Sequence, residues 1–456
     1  MVNWTFPYLR RGQPGYEEAR KKAVWNGRVP DRYPEIIAFP KCDDHVVQAV
    51  RHANETRMTI GIKSGGHSWT ASFLREGGML LDMEQMKGIQ FDVQERTAVV
   101  ETGAYGSDLN DLLRPHGLMF PSGHCPTVGI GGFLLQGGFG WNSRKWGIGC
   151  QSVMAIDLVN SAGELLHADA NENSDYYWAA RGAGCGYFSV ITRWYLQLYT
   201  LPKRIMTSRY ILPVSCLDQL MVQAEEIAPK LPRSLEMSAF IGHDQDGFSE
   251  KTIALCGDAL SDSEAESLQG LKMLDDLPVI KNTLLSSRFV RCTLPDMLKR
   301  FDELLDNRGR RYEADNIWTD TPAADLVPHL KHVVDSLPPA PSHLYILWWE
   351  PSPIKKLANM AFSLESKLWM SLYAIGDNPA DDKKHADYVV DSIRSMDQFS
   401  KGIQLADENL VGHPAKFMAT ENYKRLEALR RKYDPYGRFY SYMRVPLEYE
   451  KIQQKL

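Results

Sequence analysis

Lys63-Ser64-Gly65-Gly66-His67-Ser68 closes the short apolar run Thr59-Ile60-Gly61-Ile62. Consecutive small residues at a strand end expose several backbone N–H groups in a concave nest, which suits a pyrophosphate. A plain turn carrying a surface histidine fits the same six residues. Working outward, 35–39 (EIIAF) and 59–63 (TIGIK) read as strands flanking a helix from about Asp43 to Thr56. Val46, Val47, Val50 and Ala53 recur there at helical spacing, and Asp43 and Asp44 suit the first turn. Met79–Asp82 and Thr97–Glu101 read as further strands, and Gly106–His116 as a helix.

The densest glycine stretch runs from Gly117 to Gly149. Regular elements do not tolerate so many glycines; the backbone must approach something closely or adopt positive φ. Within it stands Ser122-Gly123-His124-Cys125-Pro126-Thr127-Val128-Gly129-Ile130-Gly131-Gly132. An isolated cysteine is ordinarily a small buried hydrophobe, so Cys125 alone indicates no chemistry. A third glycine motif, Arg181-Gly182-Ala183-Gly184-Cys185-Gly186-Tyr187-Phe188, leads into a strand over 189–199 whose Val190, Thr192, Trp194, Leu196 and Leu198 alternate. Beyond Pro202, strand-like segments (206–212, 235–241, 252–256, 343–350, 367–374) alternate with helix-like ones (217–230, 263–274, 324–336, 381–399), as in a sheet covered on one face by helices. Ala415–Tyr433 reads as a helix stopped by Asp434-Pro435.

The chain has 456 residues, enough for about two or three domains. A balance of 52 basic and 57 acidic residues excludes a nucleic-acid binder that relies on a broad positive field. No apolar run of about 18 residues occurs, so no membrane span is expected. The first residues show no apolar leader, which points to a cytoplasmic protein. The seven cysteines are widely spread and form no CxxC pair, so neither a disulfide framework nor a zinc ribbon is indicated. No Gly-Lys dipeptide exists, which excludes a P-loop. His329 and His332 lack a third ligand, so no metal centre is expected.

Taken in order, SGGHS, GHCPTVGIGG, GGFGWNSRKWGIGCQSV, ARGAGCGYF and the late NYKRL…KYDPYGRF resemble the berberine-bridge-enzyme-like flavoproteins of the vanillyl-alcohol-oxidase superfamily, which include 6-hydroxy-D-nicotine oxidase. The resemblance spans nearly the whole chain. It implies an α+β fold: a PCMH-type FAD-binding domain made by both chain ends, about 1–204 and 405–456, with an inserted antiparallel-sheet substrate domain over 205–404. It implies FAD attached twice, through His67 and Cys125. Lys63, Ser64, Gly65, Gly66 and Ser68 would hold the pyrophosphate. Val128, Gly129, Gly131, Gly132, Gly137, Gly138, Gly140, Gly182 and Val190 would line the flavin and adenosine, with Tyr440 and Tyr442 near the ring. Val128 resembles the family's gate residue, where a small side chain admits O2. The implied reaction is hydride transfer from a C–H beside N or O of a small substrate, with O2 reduced to hydrogen peroxide.

The strand where plant relatives carry a basic glutamate is KLWMSLYA here and has no carboxylate. Tyr373, Glu350 and His413 are the candidate catalytic groups, with Glu365, Asp407 and Glu408 as further substitutes. A site without a base resembles amine oxidation, in which nitrogen stabilises the developing cation. Trp318, Trp348, Trp349 and Trp369 are candidates for an apolar pocket that takes a flat substrate.

Overall fold

Alternation along Leu368–Gly376 sets the architecture of the middle of the chain. Leu368, Met370, Leu372 and Ala374 point to one side, where they meet apolar residues of four helices. Trp369, Tyr373 and Ile375 point to the other. The same two-residue period puts Phe240 opposite Ala239 and Ile241, and Tyr345 and Leu347 opposite Leu344 and Ile346. These strands belong to a seven-stranded sheet, ordered Leu285–Arg291, Arg204–Pro213, Thr252–Ser261, Leu235–Gly242, His343–Trp348, Leu368–Gly376 and Arg311–Thr319. Every pairing in it is antiparallel. The covering helices are Leu217–Ile227, Glu264–Asp275, Ala323–Asp335 and Asp382–Arg394. One face is therefore aliphatic and closed by helices, and the other is aromatic.

The computed structural model describes residues 4–304, 309–352 and 357–455. Besides the large sheet there are two mid-sized ones and a two-stranded ribbon of Leu118–Met119 with Tyr199–Thr200. A four-stranded mixed sheet orders Tyr8–Arg10, Ile36–Ala38, Met79–Asp82 and Ile60–Lys63, the last three parallel. A five-stranded antiparallel sheet orders Ile89–Asp92, Thr97–Glu101, Val190–Gln197, Val153–Val159 and Leu165–Ala168. The helix Asp43–Thr56 has the expected bounds and buries Val46, Ala49, Val50 and Ala53. The α+β arrangement agrees with the sequence reading.

Both chain ends pack together. The Ile60 N–H donates to the Arg438 carbonyl (2.7 Å), and the Tyr440 N–H donates to the Ile60 carbonyl (3.1 Å). The helices Thr420–Tyr433 and Leu447–Lys455 bury Tyr423, Leu426 and Tyr449 in the core that holds Trp194 and Phe188. A strap from the middle of the chain also reaches this core. The Ala361 and Phe362 N–H groups donate to the Trp178 and Arg181 carbonyls (3.2 and 2.9 Å).

Some elements differ from the sequence reading. The late helix begins at Thr420 rather than Ala415, because Ala419 is extended and the N–H groups of Met418 and Ala419 bond to Tyr449 and Ser363. The strands Leu285–Arg291 and Arg311–Thr319 and the helices Ser174–Ala180, Leu294–Leu304 and Leu447–Lys455 were not expected. Among the described residues, no helix is long and apolar enough to cross a membrane.

Candidate functional site

The loop after Ile60–Lys63 lies directly on the loop before the short helix Ile130–Leu135. A Cβ on Gly65 would fall 2.5 Å from the Gly129 nitrogen, and one on Gly129 would fall 2.4 Å from the Gly65 nitrogen. Only glycine on both sides permits that approach. The Ser64 hydroxyl fixes the contact by donating to the Thr102 carbonyl (2.6 Å). His67 leaves the same loop. Its Nε2 lies 2.8 Å from Thr127 Oγ1, and its ring stacks on Trp25 at 4.7 Å. Burial pushes its pKa down to about 3, so the imidazole is neutral. The Thr127 contact occupies Nε2 and leaves Nδ1 as the nitrogen able to bond elsewhere.

His67 and Cys125 line one cavity of about 310 Å³. Ser64, Gly65, Gly66, Ser68, Val128, Gly129, Gly131, Gly132 and Gly138 share its wall, and Tyr440 stands at the end near Ile60–Ile62. Burial pushes the Cys125 thiol up to about 12, and the carboxylates of Asp302 and Asp407 act in the same direction. Cys125 is therefore a protonated thiol at neutral pH.

The aromatic face of the large sheet also lines it, through Phe240, Tyr345, Leu347, Trp369 and Tyr373, together with Phe301. There Asp407 is buried and accepts from three side chains. Trp69 Nε1 donates to Oδ1 (2.7 Å), Ser371 Oγ donates to Oδ2 (2.9 Å), and the Tyr373 hydroxyl also donates to Oδ2. Burial raises the Asp407 pKa, and these three donors oppose the rise. Burial and the Asp407 charge hold the Tyr373 phenol well above its ordinary range. Asn316 places the turn Leu405–Asp407. Its Nδ2 donates to the Gln404 and Asp407 carbonyls (3.0 and 2.9 Å), and its Oδ1 accepts from the Gln404 N–H (2.7 Å) and from Trp369 Nε1 (2.9 Å). The strand KLWMSLYA lacks a carboxylate, and the fold supplies one from this turn.

The FAD binding domain family matches residues 34–169. FAD-linked oxidoreductase nodO of Hypoxylon pulicicidum is 31% identical over 444 residues, covering 95% of this chain and 96% of its own. The chain belongs to the FAD-linked oxidoreductases of the berberine-bridge-enzyme-like family. Two solved structures share the fold of this FAD-linked oxidoreductase. 6-Hydroxy-D-nicotine oxidase from Arthrobacter nicotinovorans has a TM-score of 0.84 and 22% identity, covering 96% of this chain and 97% of its own. Physcomitrella patens BBE-like 1 has a TM-score of 0.82 and 20% identity, covering 97% of both chains.

The cavity of this FAD-linked oxidoreductase suits FAD on its own geometry. It runs from the strand end at Ile60–Ile62, past the crossed glycine loops, to an apolar wall. A neutral imidazole and a thiol, two nucleophile types, face it. Gly132 lines it with no atom within 4 Å of where a Cβ would stand, so the backbone there is open to a ligand.

Other residues singled out in the sequence do not line the cavity. Lys63 is 3% exposed and its ammonium sits 3.0 Å from both Asp82 and Glu84, which commits its charge to them. Gly137 and Gly182 receive the Phe362 ring and backbone; a Cβ on Gly182, at φ +112°, would lie 2.3 Å from Phe362 Cβ. A Cβ on Gly140 would strike the Ser122 carbonyl at 2.1 Å. Val190 is core. The Tyr442 hydroxyl donates to the Ala183 carbonyl (2.5 Å), and its ring packs on Phe417. Glu350 stands at φ +49° beyond Trp348, its carbonyl accepting from Arg233 (2.5 Å).

His413 is 4% exposed and lies between Asp315 (2.7 Å) and Asp397 (2.9 Å). These carboxylates outweigh desolvation and raise its pKa to about 9. The unfolded value is about 6.5. A raised folded pKa gives stability that is complete below about pH 6.5 and lost as pH climbs through about 9. Thermal unfolding should therefore show stability falling by up to about 3 kcal/mol over that window. His413→Gln should remove that slope; an unchanged slope would refute the assignment.

Proposed function

We propose that the protein is an oxidase that holds FAD through both His67 and Cys125. It removes hydride from a C–H beside N or O of a small, flat, aromatic or alkaloid-like molecule. The observation that carries this reading is the shared cavity, lined together by His67, Cys125 and the Tyr373–Asp407 pair. In this reading residues 1–204 and 405–456 hold the cofactor, and 205–404 present the substrate wall. When bound there, FAD would supply the hydride acceptor and the two electrons that reduce O2.

The chain's own residues orient the substrate and move its proton. Trp369, Tyr345 and Phe240 offer ring faces to a flat substrate. Tyr373 accepts the substrate's O–H or N–H proton as its own proton passes to Asp407 Oδ2, so no free phenolate builds up. The substrate loses one hydride and one proton, and O2 gains two electrons and two protons as hydrogen peroxide.

The test is anaerobic mixing of the purified protein with a panel of amines, phenolic alcohols and oligosaccharides. A turned-over compound should bleach the flavin, and air should then yield one peroxide per product. Bleaching without oxygen uptake would make the protein a dehydrogenase, and a product formed with no bleaching would make it a non-redox catalyst. Val128 lines the cavity one residue before Gly129. Val128→Leu should slow reoxidation by O2 by an order of magnitude or more, about 1.4 kcal/mol of barrier, and leave anaerobic reduction nearly unchanged. Equal loss in both half-reactions would remove the gate role.

A further inference from the structure

Beside the first cavity, on the same aromatic side of the sheet, lies a second chamber, also about 310 Å³. Phe240, Phe301 and His343 border both spaces. His343 begins its strand, and its ring stacks on Tyr373 at 4.9 Å, with Phe240 at 5.8 Å on the partition. Its Nδ1 lies 2.9 Å from the Pro341 carbonyl. A carbonyl can only accept, so Nδ1 carries the proton and Nε2 presents a lone pair. Among the described residues no group donates to that Nε2. Burial lowers the His343 pKa to about 4, so the acceptor is not lost to protonation near neutral pH. That lone pair is open to a donor on a bound molecule, and His343 lines both chambers.

We infer that the substrate has two parts joined near an N–H or O–H group, and that His343 Nε2 accepts a hydrogen bond from this group while the non-reacting part occupies the second chamber. The lining of that chamber disfavours an anionic part, because the carboxylates of Asp244, Asp246 and Glu303 stand in it. Arg209 is neutralised by Asp246 (2.6 Å) and Arg300 by Asp258 (2.7 Å), so neither is a free site for a carboxylate. Phe240 and Phe301, the latter with the Arg300 guanidinium 5.4 Å from its ring centre, line it with ring surface. His343 is thus a positioning and selecting residue. The inference rests on the proposed oxidase reading only for which end of the substrate reacts.

Diphenylamine, two rings joined by one N–H, tests this without turnover. Calorimetric titration of the flavin-loaded protein should show diphenylamine binding about tenfold or more tightly than N-methyldiphenylamine, the loss expected for one hydrogen bond. His343→Phe should abolish the difference while still binding the methylated compound, and His343→Gln, whose amide oxygen accepts, should keep part of it. A crystal of the complex should show one ring on each side of His343. Equal affinities in the wild type, a preference that survives His343→Phe, or both rings in one chamber would overturn the inference. Failure of the oxidase reading would instead appear as absent bleaching and absent peroxide, with this binding preference intact.

Discussion

Asp407→Asn is expected to lower the rate of anaerobic flavin reduction by about 10²–10³-fold, with little change in KM. Asparagine keeps the size and one acceptor, so Trp69 can still donate to the amide oxygen while the Ser371 and Tyr373 hydroxyls turn to accept from the amide nitrogen. What it loses is the capacity to take a proton. Tyr373 cannot replace that capacity alone, because burial holds its phenol far above neutral pH. Tyr373→Phe should therefore cost a similar factor, and the double variant little more than either single one, since both act in one transfer. The pH profile gives a second readout. Burial raises the Asp407 pKa, so wild-type reduction should fall on the acid side at a pH above the ordinary carboxylate range, and that limb should vanish in Asp407→Asn. Stopped-flow absorbance would measure both. A variant within about threefold of wild type, or with an unchanged acid limb, would exclude the pair as the proton acceptor.

The legible parts of the fold are those written in local pattern. Alternation in KLWMSLYA places Trp369 and Tyr373 on one face, and the spacing of Val46, Val50 and Ala53 marks a helix. The strand Arg311–Thr319 escapes that logic. Its Asp315 and Asn316 are fully buried, and they break the apolar alternation. They are tolerated because His413 and the 404–407 backbone, about 90–100 residues away, satisfy them. No local signal carries such a pairing. The strand Leu285–Arg291 is the exposed edge of its sheet, so solvent imposes no pattern there. The site divides the same way. The glycine loops announce themselves because close backbone approach demands glycine, though Gly137, Gly140 and Gly182 serve packing instead. Asp407 stood among several carboxylates, and only its three donors from two distant segments single it out. His343 has no sequence signature; its value comes from one carbonyl at Pro341 and the meeting of two cavities.

The double variant His67→Ala/Cys125→Ser is expected to release all of its yellow colour on acid precipitation, whereas wild type and each single variant keep the colour on the chain. Either bond alone suffices to retain the cofactor through unfolding, so only removal of both nucleophiles frees it. Intact mass of the denatured chains would score each case, and a colourless wild type would end the bicovalent reading. The two bonds should also form at different rates. The His67 imidazole is neutral at every pH above about 3, so its lone pair is available without deprotonation. The Cys125 thiol has a pKa of about 12, and only the thiolate is strongly nucleophilic. When cofactor-free protein is mixed with FAD in air, so that O2 reoxidises the flavin that each attachment leaves two electrons reduced, the histidine bond in Cys125→Ser should form at a rate nearly independent of pH. The cysteine bond in His67→Ala should form faster by about tenfold per pH unit, because the thiolate fraction grows by that factor below the thiol pKa. A flat pH dependence for the cysteine bond would mean that a neighbouring group, with Asp407 the nearest buried candidate, accepts the thiol proton within the attachment step itself.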